Sequence, residues 1–159
     1  MSVITAVHTL VDAGVDFSII GGWSAILHGG ANVTNDLDIC FSRQPGNLKR
    51  LAGALAPFHP RLRDLPGDLP FVWDEATLRN GTNFTLATDL GGIDLLAEVS
   101  GLGGFEEVKA NSVLVHVFDR DVWTLNLPGL IKAKRAAGRE KDLRALPELE
   151  GLLEAQESE

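Results

Sequence analysis

Two aspartates separated by one leucine, Asp36-Leu37-Asp38, open a run that continues through Ile39, Cys40 and Phe41. Side chains alternate across a β-strand, so Asp36 and Asp38 share one face while Leu37 and Ile39 take the other. Carboxylates this close repel, and in a half-buried strand they need a compensating cation. Magnesium suits them, because hard divalent ions prefer carboxylate oxygen and complete their shell with substrate phosphates. By itself such a pair is most often a solvated edge or turn. The apolar residues bracketing it make this strand a central one.

Three further segments bear on the same chemistry. In Ile19-Ile20-Gly21-Gly22-Trp23-Ser24 a hydrophobic strand runs into two glycines and then a helix. Glycines let the backbone approach a bound group, a helix start offers free N–H groups to an anion, and Ser24 adds a hydroxyl donor. No G-K-[ST] follows, so this is not a Walker loop. In Gly91-Gly92-Ile93-Asp94-Leu95-Leu96 a single acid interrupts an apolar strand. Burying it unpaired would be costly, which makes Asp94 a third ligand for the same cation. Last, Lys132, Lys134, Arg135, Arg139, Lys141 and Arg144 gather nearly half of the 14 lysines and arginines. A run of this kind is commonly a solvated helix face. Here it also offers Lys134 as a contact for a nucleotide.

Periodicity and punctuation give a coarse path. Helices are expected over residues 3–11, 23–28, 47–56 and 128–137, with one or two helical segments over 141–154 and a frayed tail at 155–159. Strands are expected over 16–20, 36–41, 71–73, 83–88, 93–99, 113–118 and 122–125. The proline-rich stretch 57–70 reads as an irregular surface connection. This order predicts an α+β fold with a mixed central sheet flanked by helices. It also predicts one domain over residues 1–159, its core at about 15–127 and its C-terminal helices at about 128–154.

At 159 residues, with 45% hydrophobic and 23% charged residues, the chain can bury a substantial core. Its net charge of −8 argues against indiscriminate binding to nucleic-acid backbone. A single cysteine, Cys40, forms no internal disulfide and points to no oxidising compartment. The first residues lack a basic region, Asp12 interrupts their apolar stretch, and no run reaches a membrane-spanning length. A cytoplasmic protein without membrane association is expected. His28 is expected to bond a loop carbonyl; Cys40, Trp23, Trp73 and Trp123 are expected to pack, with the lining of a base-binding cleft as the alternative for Trp73.

The set Gly21-Gly22-Trp23-Ser24, Asp36-Leu37-Asp38-Ile39 and Ile93-Asp94-Leu95-Leu96, with Lys134, Arg139, Lys141 and Asp142 behind it, resembles the nucleotidyltransferase superfamily that includes DNA polymerase β. It looks most like the AbiEii-type and related minimal bacterial nucleotidyltransferases. Asn32 departs from the pattern, since many relatives carry an arginine there. The resemblance implies metal-dependent transfer of a nucleoside monophosphate from a nucleoside triphosphate to a hydroxyl, with release of pyrophosphate. It implies catalytic and metal-binding roles for Asp36, Asp38 and Asp94, and nucleotide-binding roles for Gly21, Gly22, Ser24 and Lys134. Two Mg2+ ions, with Mn2+ as a substitute, are the expected cofactors. The acceptor is left open among RNA, protein and a small molecule, in the last case with Asp74, Glu75, Glu98, Glu106 and Glu107 available for an acidic pocket. The expected activity includes that of a toxin–antitoxin-type component acting on RNA or protein; the alternatives are a non-enzymatic toxin–antitoxin partner protein retaining the fold, or a small-molecule, antibiotic-type nucleotidyltransferase.

Overall fold

The computed structural model describes residues 3–66 and 70–158. Positions 67–69 of the proline-rich connection and Glu159 of the tail lie outside them. The elements run α1 (Val3–Asp12), β1 (Phe17–Ile20), α2 (Gly21–Leu27), β2 (Asp36–Phe41), α3 (Pro45–Leu55), β3 (Arg61–Leu62), α4 (Glu75–Asn80), β4 (Asn83–Thr88) and β5 (Gly91–Leu96). They continue with β6 (Glu98–Val99), β7 (Gly103–Gly104), α5 (Phe105–Ala110), β8 (Ser112–Val117), β9 (Arg120–Leu125), α6 (Leu127–Ala137) and α7 (Glu140–Glu157). A seven-stranded sheet has the order β3-β4-β5-β2-β1-β9-β8, and β6 and β7 form a small separate ladder. The pairs β2–β5 and β1–β9 are parallel and the rest antiparallel, so the sheet is mixed as expected.

Strand alternation sorts the core into two layers. Phe17, Ile19, Leu37, Ile39, Phe41, Ile93 and Leu95 point to one face, where Val7 and Leu10 of α1 and Leu48, Leu51 and Leu55 of α3 cover them. Ile20 and Cys40 point to the other, under Val108 of α5, Leu130 and Ile131 of α6 and Leu149 of α7. Each such aliphatic side chain contributes roughly 1.5–3 kcal/mol on leaving water. Asp36 and Asp38 have the parity of Cys40, and Asp94 that of Leu96. The acids therefore stand on the second face, beyond the part that α5, α6 and α7 cover.

The C-terminal helices are fixed by their ends. Asn126 caps α6 by accepting from the Gly129 N–H at 2.7 Å, Pro128 occupies its first turn, and Gly138 ends it in the left-handed region at φ 67°. The chain then turns directly into α7, whose Asp142 carboxylate accepts from the Arg139 backbone N–H at 3.3 Å. Leu149 anchors α7 to the second layer.

Several local expectations are corrected. Residues 71–73 are not a strand: they lead into α4, whose N-cap Asp74 accepts from the Thr77 N–H at 2.8 Å. The expected strand over 93–99 breaks after Leu96, and 98–99 pairs instead with 103–104. Helix α5 lies in a stretch for which no element was expected. Within 57–70 the chain makes a 3-10 turn and then β3. Helix α7 is one continuous helix through Pro147 and extends to Glu157, where a frayed tail was expected. No helix among the described residues is long and apolar enough to cross a membrane.

Candidate active site

Parallel pairing of β2 with β5 sets Asp38 beside Asp94 and Asp36 beside Gly92. The aspartates thus meet on one face although they lie far apart in the chain. On the opposite flank of β2, Asp38 is in register with Ile20, the residue before the Gly21 turn. Gly21 has φ +65°, and a Cβ there would collide with Asp38 Oδ2. A Cβ on Gly92 would collide with Asp36 Oδ1. The left-handed backbone favours glycine at Gly21, and at Gly92 a side chain would displace the Asp36 carboxylate and the Arg63 guanidinium.

The clustering changes the acids' chemistry. Burial, followed by the neighbouring Asp94 and Asp36 charges, pushes the Asp38 carboxyl up to about 7, while Lys134 opposes the shift. Asp38 Oδ1 is buried with no hydrogen-bond partner among the described residues. Arg63 compensates the other two acids: Nη2 donates to Asp94 Oδ1 at 2.8 Å and Nη1 to Asp36 Oδ2 at 3.4 Å.

No three acidic, histidine or cysteine side chains among the described residues stand already gathered as a metal cage. The residues nevertheless fit a divalent cation in kind. An orphaned carboxylate oxygen on Asp38, a second acid in register beside it and a third one pleat away form an all-oxygen donor set of the type Mg2+ takes.

Asp38 and Asp94 open into a cleft of about 330 Å³ that Gly21, Lys134, Arg139, Lys141 and Asp142 also line, with Leu95, Leu96, Val99, Leu125 and Leu130 as apolar wall. The basic side of the cleft is built on one buried carboxylate. Asp142, with no solvent exposure, accepts from Arg139 Nε at 2.7 Å and from Lys134 Nζ at 3.4 Å. Burial alone would raise its proton affinity, but the bond from Arg139 and the Lys134 charge outweigh it and hold the carboxyl below the usual range. Lys134 and Arg139 are thereby aimed from α6 and the α6–α7 turn toward the acids.

The sequence-derived residues are therefore not equivalent. Asp38, Asp94, Gly21 and Lys134 share the cleft. Asp36 lines a shallower hollow beside it with Asn35 and residues 88–92. Gly22 backs onto Thr34. The expectation of a free hydroxyl on Ser24 is corrected: the side chain is fully buried, donating to the Leu125 carbonyl at 3.3 Å and accepting from the Thr124 hydroxyl at 2.7 Å. His28 bonds a backbone carbonyl as expected, that of Leu125 at 2.6 Å, though it belongs to the end of β9 rather than to a loop. Trp73 packs against the first core layer and donates to the Ala52 carbonyl at 2.8 Å, away from the cleft.

The expected acidic pocket does not form at the cleft. Asp74 caps α4, Glu75 pairs with Arg79 at 3.8 Å, and Glu98, Glu106 and Glu107 border a separate groove. Arg63 was not foreseen, because it lies in a proline-rich stretch with no periodicity to place it. The one available signal was charge: an arginine close in sequence to a β-strand, in a chain needing a cation for its acids.

No protein-family profile and no curated protein matches the sequence. Solved structures do resemble it. One is a Thermotoga maritima protein provisionally classed as a nucleotidyltransferase, with a TM-score of 0.59 and 13% identity over 91% of this chain and 90% of that one. Another is the lincosamide antibiotic adenylyltransferase LnuA in its lincomycin-bound form, with a TM-score of 0.60 and 13% identity over 93% of this chain and 94% of that one. At such identity the likeness is one of fold, and over nearly its whole length the chain adopts the fold of these nucleotidyltransferases.

Proposed function

We propose that the chain transfers a nucleoside monophosphate from a nucleoside triphosphate to a hydroxyl group of a small molecule, releasing pyrophosphate. The observation that carries this reading is the in-register pairing of Asp38 with Asp94 at the head of a cleft whose opposite side presents Lys134 and Arg139. Mg2+ or Mn2+ would be held by Asp38 and Asp94, with Asp36 beside them. When bound, it would neutralise phosphate charge and lower the pKa of the attacking hydroxyl. The chain's own groups account for the remainder. The side-chain-free turn at Gly21 lets phosphate oxygens approach the backbone, and Gly22 continues that turn. Lys134 and Arg139, oriented by Asp142, offset charge on the β- and γ-phosphates. Asp94 receives the proton of the acceptor hydroxyl as its oxygen bonds the α-phosphorus. The bond from that phosphorus to the bridging oxygen breaks, and pyrophosphate leaves.

A small acceptor is favoured over RNA by the state of the basic run. Asp142 turns Lys134 and Arg139 into the cleft, while Arg135 pairs with Glu150 and Arg144 with Glu140. Lys134, Arg139 and Lys141 thus line a confined cleft rather than an extended basic track for a phosphate backbone, and the apolar cleft wall suits a compact ligand. LnuA, of like fold, was crystallised with the small molecule lincomycin. The test is transfer of label from α-labelled triphosphates, with Mg2+, to panels of hydroxylated small molecules, RNA and protein. Small-molecule labelling that disappears in Asp38→Asn and Asp94→Asn is the expected outcome. Label on RNA or protein would overturn the acceptor class. No label anywhere would leave the non-enzymatic partner, toxin–antitoxin type included, as the better account.

A further inference from the structure

We propose that Arg63 is the resident counter-ion of the acid face, holding Asp94 and Asp36 in the metal-free protein and competing with the divalent cation for them. The inference rests on the cation-binding role of these acids given above. Arg63 is built to be there. Its backbone N–H donates to the Thr85 carbonyl at 2.8 Å, which fastens the turn after β3 to β4. From that anchor the side chain crosses toward β5, where Nη2 donates both to the Leu86 carbonyl at 2.7 Å and to Asp94 Oδ1 at 2.8 Å. Nη1 reaches Asp36 Oδ2 at 3.4 Å. Gly92 makes the room, since a Cβ there would stand 2.6 Å from Nη2.

The arrangement is also incomplete. Arg63 and Asp94 are only 26% and 25% exposed, so their pairing is less screened than a surface ion pair. Yet Asp38, beside them, keeps a buried oxygen without a partner. A planar guanidinium donates in a fixed fork and cannot serve three carboxylates distributed over two strands. A divalent ion bound through Asp94 needs oxygen lone pairs of the carboxylate that Arg63 occupies. Ion entry therefore requires Arg63 to loosen its grip on Asp94, while the Thr85 and Leu86 contacts keep the side chain at hand.

The experiment is calorimetric titration of Mn2+, without nucleotide, into wild type, Arg63→Met, Arg63→Lys, Asp38→Asn and the neighbouring exposed control Arg61→Met, with melting curves for each. Arg63→Met should bind Mn2+ about tenfold more tightly than wild type, melt lower without metal and recover more with it. Arg63→Lys should bind more tightly by a smaller factor, and it carries the test if the methionine variant fails to fold. Arg61→Met should stay within about twofold of wild type, which separates local competition from a general change in charge. Equal or weaker Mn2+ binding in the Arg63 variants, or an equal gain in Arg61→Met, overturns the proposal. If wild type binds Mn2+ and Asp38→Asn loses it while the Arg63 variants gain nothing, only the role of Arg63 falls. Absence of Mn2+ binding to every protein overturns it together with the cation-binding reading.

Discussion

Asp38 is strained in the electrostatic sense: buried, beside Asp94, with an oxygen that finds no donor among the described residues. Its carboxyl, raised to about 7 in the fold, stays protonated where the unfolded chain, near 3.9, has released its proton. In metal-free protein its contribution to stability should therefore fall as pH rises from about 4 to about 7 and level off beyond. Asp38→Asn should melt higher than wild type without metal, by on the order of 1–3 kcal/mol at pH 8 and by little at pH 4. The same variant should lose more than about 100-fold in transfer rate, beyond what an outer-shell partner of a metal supplies. Denaturation curves across that pH range check the first effect and labelled-nucleotide assays the second. Cys40 behaves oppositely to a reactive thiol. Burial, with Glu107 and Glu98 adding to it, pushes it up to about 12, so it should resist a disulfide reagent in native protein and react at once in denaturant. At this scale the aspartates were legible because alternation fixes which side chains share a face. Arg63 was not, because its position depends on how β3 pairs with β4, which no local pattern encodes.

Among the elements, β2 and β5 carry the site on one face and the core on the other. Leu95, fully buried on β5, should cost about 2–5 kcal/mol on truncation to alanine, read as a shift in the denaturation midpoint. The α6–α7 corner is held by Asp142. Replacing it with alanine removes the acceptor shared by Lys134 and Arg139 and leaves their positive charges facing each other, a loss of about 2 kcal/mol or more. Because its carboxyl is held below the usual range, its contribution is present above roughly pH 4 and disappears as acid protonates the folded state, so Asp142→Ala and wild type should converge at low pH. In assays the variant should raise KM for the triphosphate more than it lowers kcat. Helices α1 and α3 were readable from apolar spacing, and α6 from Pro128 at its start and Gly138 at its stop. Helices α4 and α5 were not, because six residues show too little periodicity to distinguish a helix from a loop. The single span of α7 was obscured by Pro147, which normally ends a helix.

At the scale of the whole molecule, the fold joins chemistry that the chain scatters. The mixed sheet puts the Gly21 turn, the β2 acids and the β5 acid side by side, and the C-terminal helices fold back to bring Lys134 and Arg139 across from them. The sheet class and the convergence of the acids could be expected from sequence. The engagement of Ser24 by β9, and the distribution of the spare acids away from the cleft, could not, because both follow from tertiary packing. The central claim is that this cleft binds a triphosphate through a cation held by the paired acids. Calorimetric titration of a non-hydrolysable triphosphate into wild type and Asp38→Asn, each with and without Mg2+, tests it most directly. Binding to wild type only when Mg2+ is present, lost in a folded Asp38→Asn, is the predicted result; metal-independent binding, or equal binding by the variant, would contradict it.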